Sequence, residues 1–177
     1  MKTKIIFEIT NSNNVTEVIE FNNDFLDLFT INALRLFYSC FPRGEITLID
    51  ENNETFLSGT KDWAWDTKLI TSIAIGTGKT APSFNDYKLE NKIAEANATI
   101  KNFTEDIQNN QIYFDVEASF VINQQTTIYE IGIFGLAFDL DYGTMRKILI
   151  SRDVIPTGIT VQPNSTLKIT YRIYFGQ

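Results

Sequence analysis

The chain has 177 residues, 44% hydrophobic and 21% charged, so it is long and apolar enough to close the core of one globular domain. Its 22 acidic residues outnumber 15 basic ones, and the net charge of −7 argues against sequence-blind binding to nucleic acid or to anionic membranes. There is no histidine and one cysteine, Cys40, which excludes histidine-dependent catalysis, histidine-ligated metals and an internal disulfide. We therefore expect a protein without enzymatic activity or a cofactor.

The first residues carry no targeting signal. Only three consecutive apolar residues, Ile5 to Phe7, precede Glu8, which is too few for the apolar region of a signal peptide. No charge-free run is long enough to span a bilayer. We expect synthesis in the cytoplasm without export through a membrane.

Two strands, at residues 4–9 and 15–21, are predicted before a single helix at residues 24–41. Asn22, Asn23 and Asp24 are candidate N-caps, and Pro42 is expected to end the helix. One narrow wedge of its surface is polar, and it contains Asp24, Asp27, Asn32, Arg35 and Ser39. Such an amphipathic helix must be largely buried, either as a plug at the open edge of the β-structure or against a neighbouring subunit.

The rest of the chain alternates apolar and polar residues, which is typical of strands. Strands are predicted at residues 45–50, 54–58, 68–75, 98–107, 111–122, 128–138, 145–151, 157–161 and 167–175. Residues 128–138 are apolar on both faces, as in a central strand covered on both sides. Closely spaced strands without helical crossovers predict a mainly β fold, an antiparallel β-sandwich or jelly roll. We predict a single domain over residues 1–177, in which a hairpin-plus-helix portion (1–44) packs on the sandwich (45–177).

Three short motifs resemble parts of enzyme or ion-binding sites, and for each of them a structural interpretation is favoured. Gly76 to Thr80 resembles a phosphate-binding loop, but the glycine expected five positions before Gly78 is Ile73, and Pro82 follows where a helix should begin. Asp139 to Gly143 could be half of a calcium loop, although a hairpin tip explains it better.

Asp115 and Glu117 lie two positions apart on the outer face of one predicted strand. Paired carboxylates can hydrolyse glycosidic bonds, but the sequence shows no cleft around this pair. Solvated surface charges are the favoured interpretation.

Three aromatic residues are the candidates for binding. Trp63 and Trp65 share one strand face, and Tyr142 follows the acidic turn. They could fill the core, anchor a subunit interface or stack on sugar rings.

The central segment carries an ordered set of residues that no enzyme motif explains. It contains Gly76 and Gly78, then Pro82, Asp86, Leu89 and Glu90, then Glu130-Ile131-Gly132-Ile133-Phe134 and finally Leu149 with Arg152. This order resembles a β-sandwich module of structural proteins in tailed viruses of bacteria and archaea, found in fibre, collar and baseplate-associated components. The resemblance covers about residues 68–177.

The resemblance implies a non-enzymatic virion protein that binds copies of itself and other virion proteins. Its structural motif would be Gly76, Gly78, Pro82, Asp86, Glu130, Gly132 and Arg152. We expect Glu130 and Arg152 to pair across neighbouring strands. The alternative is a carbohydrate- or receptor-binding module that uses Trp63, Trp65 and Tyr142 on the same scaffold.

Overall fold

The computed structural model describes residues 2–23, 28–39, 45–59, 70–101, 103–108 and 111–175. In this part of the chain the protein is mainly β, with antiparallel pairing throughout and one short helix, which confirms the predicted fold class at that level. The predictions for Trp63, Trp65, Pro42 and residues 24–27, 40 and 41 of the helix lie outside the described residues.

The strands are numbered in chain order. They are β1 (Lys2–Thr10), β2 (Thr16–Asn23), β3 (Leu28–Phe29), β4 (Glu45–Ile49), β5 (Thr55–Gly59), β6 (Ser72–Gly76), β7 (Lys92–Asn97), β8 (Thr99–Ile100), β9 (Thr104–Asp106), β10 (Gln111–Ile122), β11 (Thr126–Asp139), β12 (Thr144–Val161) and β13 (Ser165–Phe175). Sheet A has the order β2-β1-β13-β10-β8, with β9 also paired to β10. Sheet B has the order β3-β12-β11-β6-β7, and β4 with β5 forms a third, two-stranded sheet.

Sheets A and B contribute their apolar faces to one common core. Alternation on β1, β10 and β13 turns every second side chain inward, and these side chains meet those of β6, β11 and β12. Examples of fully buried side chains are Phe7 and Tyr171 from sheet A and Ile73, Ile131 and Ile148 from sheet B. The hydrophobic effect on this shared interior is what holds the two sheets together.

Sheet B is covered on its outer face as well. Ala74, Leu89, Phe134 and Leu149 form a second buried apolar cluster there. Leu89 comes from the connection between β6 and β7, so this connection crosses the outer face of the sheet. The prediction that residues 128–138 form a central strand buried on both faces is therefore confirmed.

The helix prediction is wrong in its bounds. The helix, α1, spans Ile31–Ser39, and the preceding Leu28 and Phe29 form β3, paired with Arg152 and Ser151 of β12. Thr30 occupies the N-cap position of the helix instead of Asn22 to Asp24, because its carbonyl accepts the N–H of Leu34. Its own N–H donates to the carbonyl of Ile150 and its hydroxyl donates to the carbonyl of Leu149, both on β12.

The predicted polar wedge of the helix does not simply face solvent. Asn32 is buried and forms two hydrogen bonds with the backbone of Ile49 in β4, one from its side-chain amide (2.7 Å) and one to its side-chain oxygen (3.0 Å). Leu34, by contrast, is 49% exposed. The side-chain amide of Asn32 pairs with the backbone of β4 as a neighbouring strand would. A helical wheel does not predict this contact.

Two further strand predictions need correction. The sequence does not predict strand β7, because only two alanines, Ala94 and Ala96, pack from it against the core and its other residues, including Ile93, are exposed. The strands predicted at 145–151 and 157–161 are one strand, β12, which continues through Pro156. Register shifts near Ile128 and Ile133 allow β11 and β12 to remain paired along this length.

Candidate functional site

The residues that carry the motif converge on the outer face of sheet B. Glu130, on β11, is fully buried and faces the connection between β6 and β7. Its carboxylate accepts backbone N–H groups from Gly78 (3.0 Å), Glu90 (3.0 Å) and Asn91 (2.7 Å). One side chain therefore holds both ends of a connection that lies about 40 to 50 residues earlier in the chain.

Arg152, on the neighbouring strand β12, completes this arrangement. Its Nε donates to Glu130 Oε2 at 2.9 Å, and its Nη1 donates to Asp86 Oδ2 at 2.9 Å. Arg152 is 3% exposed and Glu130 is fully buried, so their contact is shielded from water, whereas the Asp86 side chain is 23% exposed. The expected Glu130–Arg152 ion pair is present, and it also reaches Asp86 in the middle of the connection.

Glu90 is a member of the cluster that the sequence analysis did not place among the site residues. It accepts the N–H groups of Lys79 (2.8 Å) and Thr80 (2.9 Å) and lies 3.7 Å from Arg152 Nη2. Hydrogen bonds from the backbone and side chain of Thr80 lower the pKa of Glu90, and they outweigh the opposing effect of burial. Its position directly after Leu89 in the motif was the available signal.

We call this set of residues, Gly76, Gly78, Asp86, Glu90, Glu130 and Arg152, the Glu130 clasp. Its two glycines are required because a residue with a Cβ atom would not fit at either position. A Cβ on Gly76 would lie 2.5 Å from the carbonyl oxygen of Asn91, and one on Gly78 would lie 2.6 Å from Glu130 Oε1. A Cβ on Gly132 would lie 2.8 Å from Leu89. The glycines thus leave room for the carboxylate and for the leucine that covers the sheet.

Pro82 and Asp86 shape the middle of the connection. Asp86 Oδ2 accepts the N–H of Ser83 at 2.9 Å, and the Ser83 carbonyl accepts the N–H of Asp86 at 3.0 Å. The same Asp86 oxygen accepts Arg152 Nη1, so the turn after Pro82 is tied to β12. All seven predicted motif residues therefore lie in or directly beneath this connection.

The carboxylates of the clasp already have hydrogen-bond partners. A depression of about 210 Å³ beside it is lined by Tyr87 and Lys88 as well as by clasp residues. Yet Glu130, Glu90 and Asp86 already accept hydrogen bonds from Arg152 or from backbone N–H groups. Among the described residues, no group of three acidic or cysteine side chains is arranged to hold a metal ion.

The acidic pair on β10 is neutralised. Asp115 forms a two-pronged ion pair with Arg172, at 2.7 and 2.8 Å. Glu117 lies 3.1 Å from Lys168 and accepts the hydroxyl of Thr170 at 3.3 Å. These contacts belong to a row of opposite charges along the outer face of sheet A, in which the side chains of Asp115 and Glu117 are 17% and 22% exposed.

The turn between β11 and β12 is a hairpin tip. Asp139 accepts the N–H groups of Asp141 and Tyr142, and Gly143 has a φ of +66°. Burial alone would raise the pKa of Asp139, but hydrogen bonds from Arg146 and from these N–H groups hold it below its usual value. Tyr142 is 75% exposed at this tip, apart from the Glu130 clasp.

Glu95, on β7, has the most strongly shifted carboxyl among the described residues. Its carboxylate accepts the hydroxyl of Ser72 (2.5 Å) and contacts the ammonium groups of Lys92 (3.1 Å) and Lys147. Partial burial would raise the pKa of Glu95, but these hydrogen bonds lower it to about 2.

We expect the stability of the protein to fall as the pH is lowered from 4.5 to about 2. A carboxyl whose pKa is lowered on folding from 4.5 to about 2 stabilises the fold above pH 4.5, and this contribution disappears through that interval. Urea unfolding across this interval should show a shallower pH dependence for Glu95→Gln than for the wild type. Glu17→Gln, at an exposed position of β2, is the control for loss of one charge. Superimposable profiles for Glu95→Gln and the wild type would contradict this assignment.

The chain was compared with protein-family models, with curated proteins and with solved structures. None of them matches. In the described part of the chain, no helix is long and apolar enough to cross a membrane. The function must therefore be argued from the geometry of the molecule itself.

Proposed function

We propose that this chain is a non-enzymatic structural protein of a virion, with a jelly-roll-type β-sandwich body. It would be a tail, fibre, collar or capsid-associated component that acts by self-association and by docking to other virion proteins. The observation that carries the proposal is the Glu130 clasp. The residues on which the resemblance to viral modules depends hold one connection on a sheet, so they fix the shape of the outer surface, which suits a structural role.

The charges of the described residues support the same function. Three carboxylates each face a basic side chain at 3.1 Å or less, namely those of Asp115, Glu117 and Glu130. Carboxylates that are ion-paired with basic side chains on an antiparallel β-structure suit a structural protein. The net charge of −7 would keep free copies soluble before assembly and favour docking on a basic patch of a partner.

The proposal predicts that the purified chain self-associates. Size-exclusion chromatography with light scattering over about 1 to 300 µM should give a mass that rises with concentration to a small multiple of the protomer. A strict monomer over this range would contradict self-association and leave docking to other virion proteins as the means of assembly.

A second candidate function is a carbohydrate- or receptor-binding module. The observation in its favour is Tyr142, which is exposed at the tip of the β11–β12 hairpin with the guanidinium of Arg146 5.6 Å from its ring centre. A glycan array separates the two functions. Saturable binding that is lost in Tyr142→Ala or Trp63→Ala would favour the second candidate.

A further inference from the structure

One edge of sheet A exposes a concentration of apolar side chains. The exposed fractions are 57% for Ile100, 62% for Phe103, 82% for Ile107 and 37% for Ile112. We call these four residues, which lie on or beside β8, β9 and the start of β10, the apolar edge. Large exposed apolar side chains that cluster in this way usually mark a contact surface.

The topology explains why these side chains have no cover. β8 and β9 are two and three residues long, and both pair with β10 on one side. In the sheet order of the described residues, no strand lies beyond them. Short, interrupted edge strands discourage unlimited strand addition. The apolar edge is therefore suited to a side-chain contact of limited extent.

The charges along residues 100–107 differ in sign. Lys101, with a side chain that is 52% exposed and 4.0 Å from Glu117, follows Ile100, and the exposed Glu105 and half-buried Asp106 precede Ile107. When a two-fold axis perpendicular to this segment brings it against its own copy, the two segments run in opposite directions. Lys101 of each copy then lies beside Glu105 of the other, with Phe103 of both copies between these pairs and Ile100 and Ile107 flanking them.

We propose that the apolar edge is the contact between two copies of this chain. The inference rests on the self-association in the proposed function and specifies its surface. The opposite edge of sheet A, β2, lacks this pairing of charges, because its charged residues are Glu17 and Glu20 and none is basic.

The first test removes the apolar contact. Ile107→Lys should raise the dissociation constant of the dimer at least about tenfold, measured by sedimentation velocity, because a charged side chain from each copy would enter the apolar contact. Val18→Lys is the matched control, since Val18 is 56% exposed but lies on β2. It should leave the dissociation constant unchanged. Unfolding curves of both variants establish that they remain folded.

The second test exchanges the charges. Lys101→Glu and Glu105→Lys should each weaken the dimer about three- to tenfold, since each creates two like-charge contacts per dimer. The double variant Lys101→Glu/Glu105→Lys should recover the wild-type dissociation constant.

The outcomes separate this inference from the function on which it rests. If Ile107→Lys self-associates as strongly as the wild type, the apolar edge is not the contact, although the chain still self-associates. A double variant that is weaker than both single variants overturns the two-fold pairing of Lys101 with Glu105. A wild-type chain that remains monomeric overturns the inference and leaves docking to other virion proteins as the proposed role.

Discussion

Replacing Glu130 with alanine should lower the free energy of unfolding by about 3–5 kcal/mol. The substitution leaves the buried Arg152 with only its half-buried partner Asp86 within 3 Å, and it removes the acceptor for the N–H groups of Gly78, Glu90 and Asn91. Loss of a buried partner is far more damaging than loss of a surface one, because the remaining charge cannot be solvated. Urea unfolding measures the effect, and the melting temperature should fall by roughly 10 °C.

The control is Glu20→Ala on β2. Glu20 also lies in an ion pair, 2.8 Å from Lys4, but its side chain is 46% exposed, so its removal should change the free energy of unfolding by less than about 1 kcal/mol. A Glu130→Ala variant that melts together with Glu20→Ala would show that the clasp does not stabilise the fold. In the double variant Glu130→Ala/Arg152→Ala, the loss should be smaller than the sum of the two single losses.

Replacing Gly76 with alanine should destabilise the protein by about 3 kcal/mol. The added Cβ would lie 2.5 Å from the backbone oxygen of Asn91 and would also meet the Glu130 carboxylate. Backbone cannot move aside as a side chain can, so the connection must lift from the sheet. Unfolding in urea measures the loss, and faster amide hydrogen exchange in residues 77–91 should locate it.

Two other glycines calibrate this result. A Cβ on Gly132 meets only the flexible ends of Leu89 and Leu149, so Gly132→Ala should destabilise by about 1 kcal/mol. Gly143 has open space around it and a φ of +66°, a conformation that asparagine tolerates. Gly143→Asn should therefore be within about 0.5 kcal/mol of the wild type. Equal losses at Gly76 and Gly143 would exclude the steric explanation.

Part of the Glu130 clasp could be predicted from the sequence. The order of glycines, Pro82, Asp86, Glu130 and Arg152 indicated a structural motif and an ion pair. That Glu130 would accept three backbone N–H groups could not be predicted, because those groups belong to a connection 39 to 52 residues away along the chain. Backbone donors are present at every non-proline residue, so their selection by one carboxylate depends on folding alone.

By itself, the sequence determined the positions of those strands in which buried and exposed side chains alternate. The bounds predicted for β10, residues 111–122, agree with the structure, since alternation of side chains is a local property of an extended backbone. The tertiary structure decided the elements whose partners lie far away. Leu28 and Phe29 became a strand because β12 offered ladder positions, and β7 formed although its inward side chains are only alanines. Hydrogen-bond partners and packing space come from distant parts of the chain, and no local pattern of residues encodes them.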